Sequence, residues 1–334
     1  MRASTFPWKA GVDENNPKTR ELRGAVRAPG AGTEFEASGA ASGIRRAKRL
    51  SPAAFLLFWA FAAHGQGLGL RLEAGYQYDD NVTRARQRSS DVLSDQSFAV
   101  TASASRNFSL SQRIRLALNA GVTGEKFVDY PGLDRASVNV GGSLQFRPSG
   151  AFLAPTYAFY VRWSGDWFDS SLRDGNRYAL GLSVRKPLTD RIQALAAVQF
   201  SHRDGKSIVF DGNDWSGRLN LDYTLFGRHT LYAGGEYRRG DVVSVGVPSL
   251  PMINLANALV QDDVFVDRTR FAYRFHAATV IATVGYNFPF GTAHSLDLSY
   301  RWIRSEPSNV PAYYGTQGIR YVANQINLAY LARF

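Results

Sequence analysis

The chain contains no cysteine. That excludes a disulfide framework, a thiolate metal site and a lipidated N-terminal Cys. It fits passage through the periplasm, where unpaired thiols are oxidised. Long hydrophobic runs are also missing. The best apolar stretch, Leu50 to Ala63, is shorter than the roughly 20 residues a membrane-spanning helix needs. Lysine is scarce beyond residue 65, at 3 Lys against 26 Arg, and only four histidines follow that point, His202, His229, His276 and His294. Mean hydropathy is −0.23, ordinary for a soluble protein. A strand-built membrane protein hides from such averages, because lipid-facing and lumen-facing residues alternate and cancel.

What is present divides into two parts. Arg45, Arg46, Lys48 and Arg49 precede the apolar run, and Ala60-Phe61-Ala62 or Ala63-His64-Gly65 would suit a signal peptidase. The length and flanks are those of a signal-peptide core; the competing reading is a buried helix of a soluble domain. Residues 1–43 are rich in Gly, Ala, Pro and charge and read as lying upstream of the true start. Residues 1–65 are therefore expected to be a leader, and 66–334 the mature domain. The formal charge of +11 is uneven: 10 basic and 5 acidic residues precede Gln66, leaving 29 against 23. A nucleic-acid partner, suggested by the high pI, loses most of its support once the leader is set aside.

From Leu70 onwards apolar residues recur with period two, in segments spaced by twenty-odd residues. Leu70, Leu72, Ala74, Tyr76 and Tyr78 share one face; Arg71, Glu73 and Gln77 share the other. Ile114 to Val122, Val138 to Phe146 and Leu219 to Leu225 alternate in the same way. About twelve strands are expected, with a bulge near Ala278, where the segment Tyr273 to Phe288 switches face. Connections alternate in length. Short turns are expected at 108–112, 148–150, 187–190, 226–228 and 289–293, and longer polar loops at 81–96, 124–135, 168–175, 203–214, 240–270 and 305–318. This sorting indicates an all-β fold, a transmembrane antiparallel up-and-down β-barrel. Tyr76, Tyr78, Trp163, Trp215, Tyr237 and Trp302 fall toward the loop ends of their strands; Phe146, Tyr223, Tyr286, Phe288, Tyr330 and Phe334 fall at the turn ends. Two aromatic girdles are implied.

The final segment places Phe334, Ala332, Tyr330, Leu328 and Ile326 on one face. It resembles the C-terminal signal read by the barrel-assembly machinery of Gram-negative outer membranes, which implies that machinery as a partner and the outer membrane as the location. The first hairpin, Gly75-Tyr76-Gln77-Tyr78-Asp79-Asp80-Asn81-Val82, is similar to the opening of exopolysaccharide-associated outer-membrane proteins and of the barrel domain of surface-lipoprotein assembly modifiers. An export-associated role is what that resemblance implies.

The alternation sends Arg71, Arg113, Arg115, Arg147, Arg162, Arg177, Arg218, Arg238 and Arg301 into the lumen, with Arg185 and Arg333, against Glu73, Asp166, Asp222, Glu236 and Asp297. An arginine wall favours anion passage; equally, arginines and acids fill a narrow barrel as a network. The segment 240–270 carries Val242, Val243, Val245, Val247, Leu250, Ile253, Leu255 and Leu259, too many aliphatics for an exposed loop. Either it folds into or across the mouth, with Asp262, Asp263 and Asp267 pairing lumen arginines, or it extends a hairpin outward. Ser201-His202 would point to opposite faces of a strand, so no catalytic residues are expected. Asp79-Asp80-Asn81 and Asp211-Gly212-Asn213-Asp214 offer hard oxygens for Ca²⁺ without EF-hand spacing, and acidic turn residues explain them equally; no metal or cofactor is expected. Arg84, Arg86 and Arg88 are placed to meet lipopolysaccharide phosphates at the rim. The sequence thus suggests a channel or export-associated barrel for small anionic or saccharide solutes, with a plugged adhesion-type barrel and a membrane-embedded hydrolase as alternatives. N-terminal sequencing of the protein recovered from outer membranes should begin at about residue 66; a start within 1–43 would make the leader part of the mature chain.

Overall fold

The computed structural model describes residues 68–226, 228–265, 269–308, 310 and 320–334. The leader, and Asp267, lie outside the described residues. Thirteen strands form one antiparallel sheet. They are β1 (Leu68–Asp79), β2 (Asp95–Ser109), β3 (Ile114–Phe127), β4 (Arg135–Phe146), β5 (Thr156–Phe168) and β6 (Gly175–Pro187). Then come β7 (Ile192–Gly205), β8 (Gly212–Thr224), β9 (Thr230–Gly246), β10 (Ala258–Gln261), β11 (Phe271–Phe290), β12 (His294–Pro307) and β13 (Tyr321–Arg333). Twelve of them close on themselves. β1 pairs with both β2 and β13, and β9 pairs with β11 rather than with the short β10. β10 hydrogen-bonds only β11, at Ala258↔Arg274 to Gln261↔Phe271, beyond the point where β12 ends at Pro307↔Ala277.

The register carries one face around the whole barrel. Leu70 stands beside Ala104, Ala104 beside Ala120, and Ala120 beside Val140. On the far side Val280 meets Tyr237 and Tyr300 meets Ile326. Every residue in that set points outward. The outward face is apolar and uncovered: Phe98 is 56% exposed, Leu182 58%, Leu219 66% and Leu298 53%. An apolar belt of this extent is not tolerated in water; acyl chains are its natural surroundings. No helix among the described residues is long and apolar enough to cross a membrane. The predicted girdle residues all share the outward parity. At the turn end His229 Nδ1 bonds the Tyr286 hydroxyl at 2.6 Å, and His294 Nδ1 the Tyr330 hydroxyl at 2.8 Å, with Phe290, His294 and Tyr330 gathered in a three-ring cluster. Phe334, Tyr330 and Leu328 lie on this outer face, and the Phe334 N–H donates to the Leu70 carbonyl at 2.9 Å across the closing seam.

The inward face is built of small and polar residues, and two tyrosines lie flat over glycines of neighbouring strands. A Cβ on Gly285 would meet the Tyr232 ring at 2.3 Å, and one on Gly181 the Tyr160 ring at 2.5 Å. Tyr232 then reaches Asp297 with its hydroxyl at 2.7 Å. The glycine is required for the ring to lie against the wall rather than across the lumen.

Two sequence expectations change. There is no bulge at Ala278: β11 pairs with β9 in unbroken register from Phe271↔Gly246 to Asn287↔Thr230. Below Ala277 only one face of β11 meets lipid. Above it the inward residues Phe271, Tyr273, Phe275 and Ala277 pack with Val242, Leu255 and Leu259 while Arg274 and His276 take the outward side, so the apolar face changes without any slip in register. The apparent switch is a change of surroundings. The loops are also shorter than expected, because strands run on past the girdle. The second turn, 147–155, is longer than the connections 128–134, 169–174 and 206–211. Replacing Gly285 with Val should displace Tyr232 and destabilise the barrel by about 1–3 kcal/mol. Urea unfolding in lipid vesicles measures it; an unchanged midpoint would show the ring has room elsewhere.

Candidate functional site

The connections at the loop end are ordered by one device used three times. Each of 128–134, 169–174 and 206–211 makes a single 3₁₀ turn, and the aspartate after that turn accepts a hydrogen bond from the preceding strand end. The Phe127 N–H donates to Asp134 Oδ1 at 2.8 Å, Phe168 to Asp174 at 2.7 Å, and Gly205 to Asp211 at 2.6 Å. Asp211 therefore caps backbone at the site first considered for Ca²⁺. At the other such site Asp79 pairs with Arg84 at 2.6 Å, and Asp80 accepts from the Asn324 amide groups at 2.6 and 2.7 Å. Arg84, at a φ of 52°, is thus a half-buried partner of Asp79, while Arg86 and Arg88 stay exposed at the rim.

Over these connections lies the segment between β9 and β11, which includes helix α1 (Leu250–Leu255) and β10. It crosses the mouth. Phe265 stacks edge-on against Tyr130, at 4.9 Å between ring centres, although Tyr130 belongs to the β3–β4 connection on the far side of the barrel. Arg173, in the β5–β6 connection, bonds Asp262 at 2.5 Å, both side chains being buried, and lies 3.5 Å from Asp263. Its guanidinium also covers the Phe210 ring at 4.9 Å. The Val245 N–H donates to the Thr83 carbonyl at 2.8 Å, tying β9 to the β1–β2 connection. Val209, Phe210, Val245, Ala258, Val264, Phe265 and Ala272 form the resulting core, with Val82, Leu93, Leu133 and Leu172 packed on it. The long segment is therefore both an extended hairpin and a lid. Asp262 and Asp263 pair with Arg173 of a loop, not with lumen arginines.

Beneath the lid the lumen has two zones. Near the loops, charges are matched: Arg135 with Glu125 at 2.7 Å and Asp166 at 4.0 Å, Arg238 with Glu236 at 2.7 Å and Asp214 at 3.6 Å. Arg177 stands among Asp166, Asp214, Arg135 and Arg238. Arg135, Arg203 and Glu125 escaped the sequence reading, and Asp214 was read as a turn residue able to meet Ca²⁺, because their strand ends were taken for loops. Toward the turns a 520 Å³ chamber is lined by Arg162, Arg185 and Arg218 among neutral side chains, without a carboxylate. These three arginines are exposed to lumen water and have no ion-pair partner among the described residues. A smaller 300 Å³ pocket adjoins it, sharing Arg218 and Asn220 and adding Tyr232, Glu236 and Arg301. Of the other expected lumen arginines, Arg71 pairs with Glu73 at 2.7 Å and Arg115 faces inward at the foot of β3. Arg113 and Arg147 sit in turns rather than in the wall; the Arg147 guanidinium bonds the Ala151 carbonyl at 2.9 Å. Ser201 faces the lumen and accepts from Gln199 at 2.8 Å, whereas His202 faces outward against Tyr178. The two share no site.

The fold is that of the transmembrane β-barrels of the Gram-negative outer membrane. An outer membrane channel of Pseudomonas putida F1 superimposes with a TM-score of 0.54 at 12% identity, over 80% of this chain and 96% of that one. A KdgM porin in complex with disordered oligogalacturonate gives 0.43 at 11% identity, over 79% and 99%. The translocator domain of the autotransporter NalP from Neisseria meningitidis gives 0.39 at 11%, over 85% and 98%. No family model and no curated protein sequence matches the chain.

Arg173→Ala leaves Asp262 buried without its partner, a change that costs about 3–5 kcal/mol. Protease cleavage within 247–265 should become fast in the variant while the barrel core stays resistant; equal resistance would mean the apolar core alone holds the lid.

Proposed function

We propose that the chain is an outer-membrane channel whose lumen favours anions and whose outer mouth is closed by the lid. The single observation behind the anion preference is the chamber in which Arg162, Arg185 and Arg218 face water without carboxylate partners. Arginine keeps its charge at any physiological pH, so an unmatched wall of it lowers the free energy of an entering anion and raises that of a cation. The matched charges nearer the loops narrow and stiffen the passage without adding net selectivity. Ser201 and His202, the pair weighed for catalysis, stand on opposite faces and share no site. Export with removal of the leader and recognition of Phe334, Tyr330 and Leu328 by the barrel-assembly machinery belong to the same proposal. So does contact of Arg86 and Arg88 with lipopolysaccharide.

The lid favours a second reading, a barrel kept shut that acts through its external face. Its core joins connections from opposite sides of the rim, which is more than a loop resting on a pore needs. Planar-bilayer recording of the refolded 66–334 protein under a salt gradient separates the two. The channel reading expects anion-selective openings, a loss of that selectivity in Arg162→Glu/Arg218→Glu, and a larger conductance when 250–265 is replaced by a short Gly–Ser linker. Silence of both the intact and the lid-shortened protein would overturn it in favour of a closed structural barrel.

A further inference from the structure

We infer that the arginine chamber is a binding site for a sugar-sized, polyhydroxylated anion. The inference deepens the channel reading and rests on it for the route of entry. Three observations carry it. First, Arg162, Arg185 and Arg218 come from three strands, β5, β6 and β8, and converge on one space with no carboxylate in its lining. Like charges gathered without counterions raise one another's free energy, even in a hydrated lumen. The carboxylates of the lumen near it are held by other arginines: Glu125 and Asp166 by Arg135, Asp214 by Arg238, and Glu236, which faces Arg218 across β8 and β9, by Arg238 at 2.7 Å. An anion from solution is the missing partner, and guanidinium groups hold carboxylate or phosphate through paired hydrogen bonds.

Second, the chamber is too large for a bare inorganic ion. At 520 Å³ it falls within the roughly 300–1,000 Å³ of small-molecule sites. Its remaining wall supplies neutral donors and acceptors, Asn119, Thr156 and Asn220 among them. Amides and hydroxyls set between cations match a molecule bearing many hydroxyls and one or two negative groups. Third, the wall is braced. Tyr160 is held over Gly181, and its hydroxyl donates to Gln199 at 3.2 Å, so the ring forms a fixed side of the chamber. A pre-formed wall loses little freedom when a ligand arrives.

The anionic group can be a carboxylate or a phosphate, and the two are distinguished by probe. Isothermal titration of the refolded barrel in detergent, with D-glucuronate, glucose 6-phosphate, D-glucose and sodium sulfate, tests the site. One or both hydroxylated anions should bind, and the tighter of them names the anionic group. Glucose and sulfate should each bind at least about tenfold more weakly. Arg162→Gln and Arg218→Gln should each weaken binding about tenfold, whereas Arg191→Gln, in the turn after β6, should not. Retained heat-modifiable mobility on gels confirms that each variant is folded. Sulfate binding as tight as the sugar anions, glucose binding equally well, no binding at all, or indifference to the lumen substitutions would each overturn the inference. Zero-current potentials on the same preparations keep it apart from the channel reading. Anion selectivity without sugar-anion binding removes the site alone, and binding by an electrically silent barrel removes the channel alone.

Discussion

A peptide group has no water to turn to inside a bilayer, and the architecture follows from that deficit. Each backbone N–H and C=O within the hydrocarbon must find a partner on a neighbouring strand, and the last strand must find the first. The β1–β13 seam meets this with nine residue pairs and the bonds between Leu70 and Phe334. Closure then dictates side-chain placement, since a period of two sends alternate residues to lipid and to lumen without exception. Outward residues are free to be Leu, Val and Phe. Inward ones must share a confined space with water, which explains the Gly, Ser, Thr and Asn of the wall and the tyrosines laid over glycine.

Charge within that space is sorted by height. Close to the loops each of Arg135 and Arg238 has acids beside it, so the lumen there is a salt-bridged collar beneath an apolar roof. Toward the turns Arg71 keeps Glu73, but Arg162, Arg185 and Arg218 are left unmatched. The two readings that the composition left open, a cationic wall and a self-satisfied network, are thus both present, at different depths. Buried pairs such as Arg173–Asp262 contribute position more than stability: their desolvation offsets much of their attraction, but either partner alone would be costly to bury.

The membrane belt was legible in the sequence because its physics is simple. Segments such as Ile114 to Val122 and Val138 to Phe146 alternate, and their faces were assignable residue by residue. Legibility failed where the surroundings changed. Past the girdle, strands continue into water, where outward residues become polar; Arg135 and Arg203 were therefore taken for loop residues. In upper β11 the inward face is the apolar one, and Phe271 to Ala277 imitated a slip in register. The excess of aliphatics in 240–270 did announce a buried segment. Its partners, Tyr130 and Arg173, came from connections 89 residues earlier or more, beyond the reach of local pattern. One signal was there to be read: an aspartate at 134, 174 and 211, each beginning a strand after a short turn, marks three connections built alike.

The lid has a bearing on how the exposed face of such a protein can change over time. Loops on a barrel ordinarily vary one by one, each free to lengthen or mutate while the others stay as they are. Here Val82, Tyr130, Leu172, Phe210 and Phe265 share a single core, so a substitution in one connection is felt in the rest. The surface this molecule turns to the outside drifts as a unit, and a phage, antibody or toxin that learned to grip it would not easily be shed by a change in one loop.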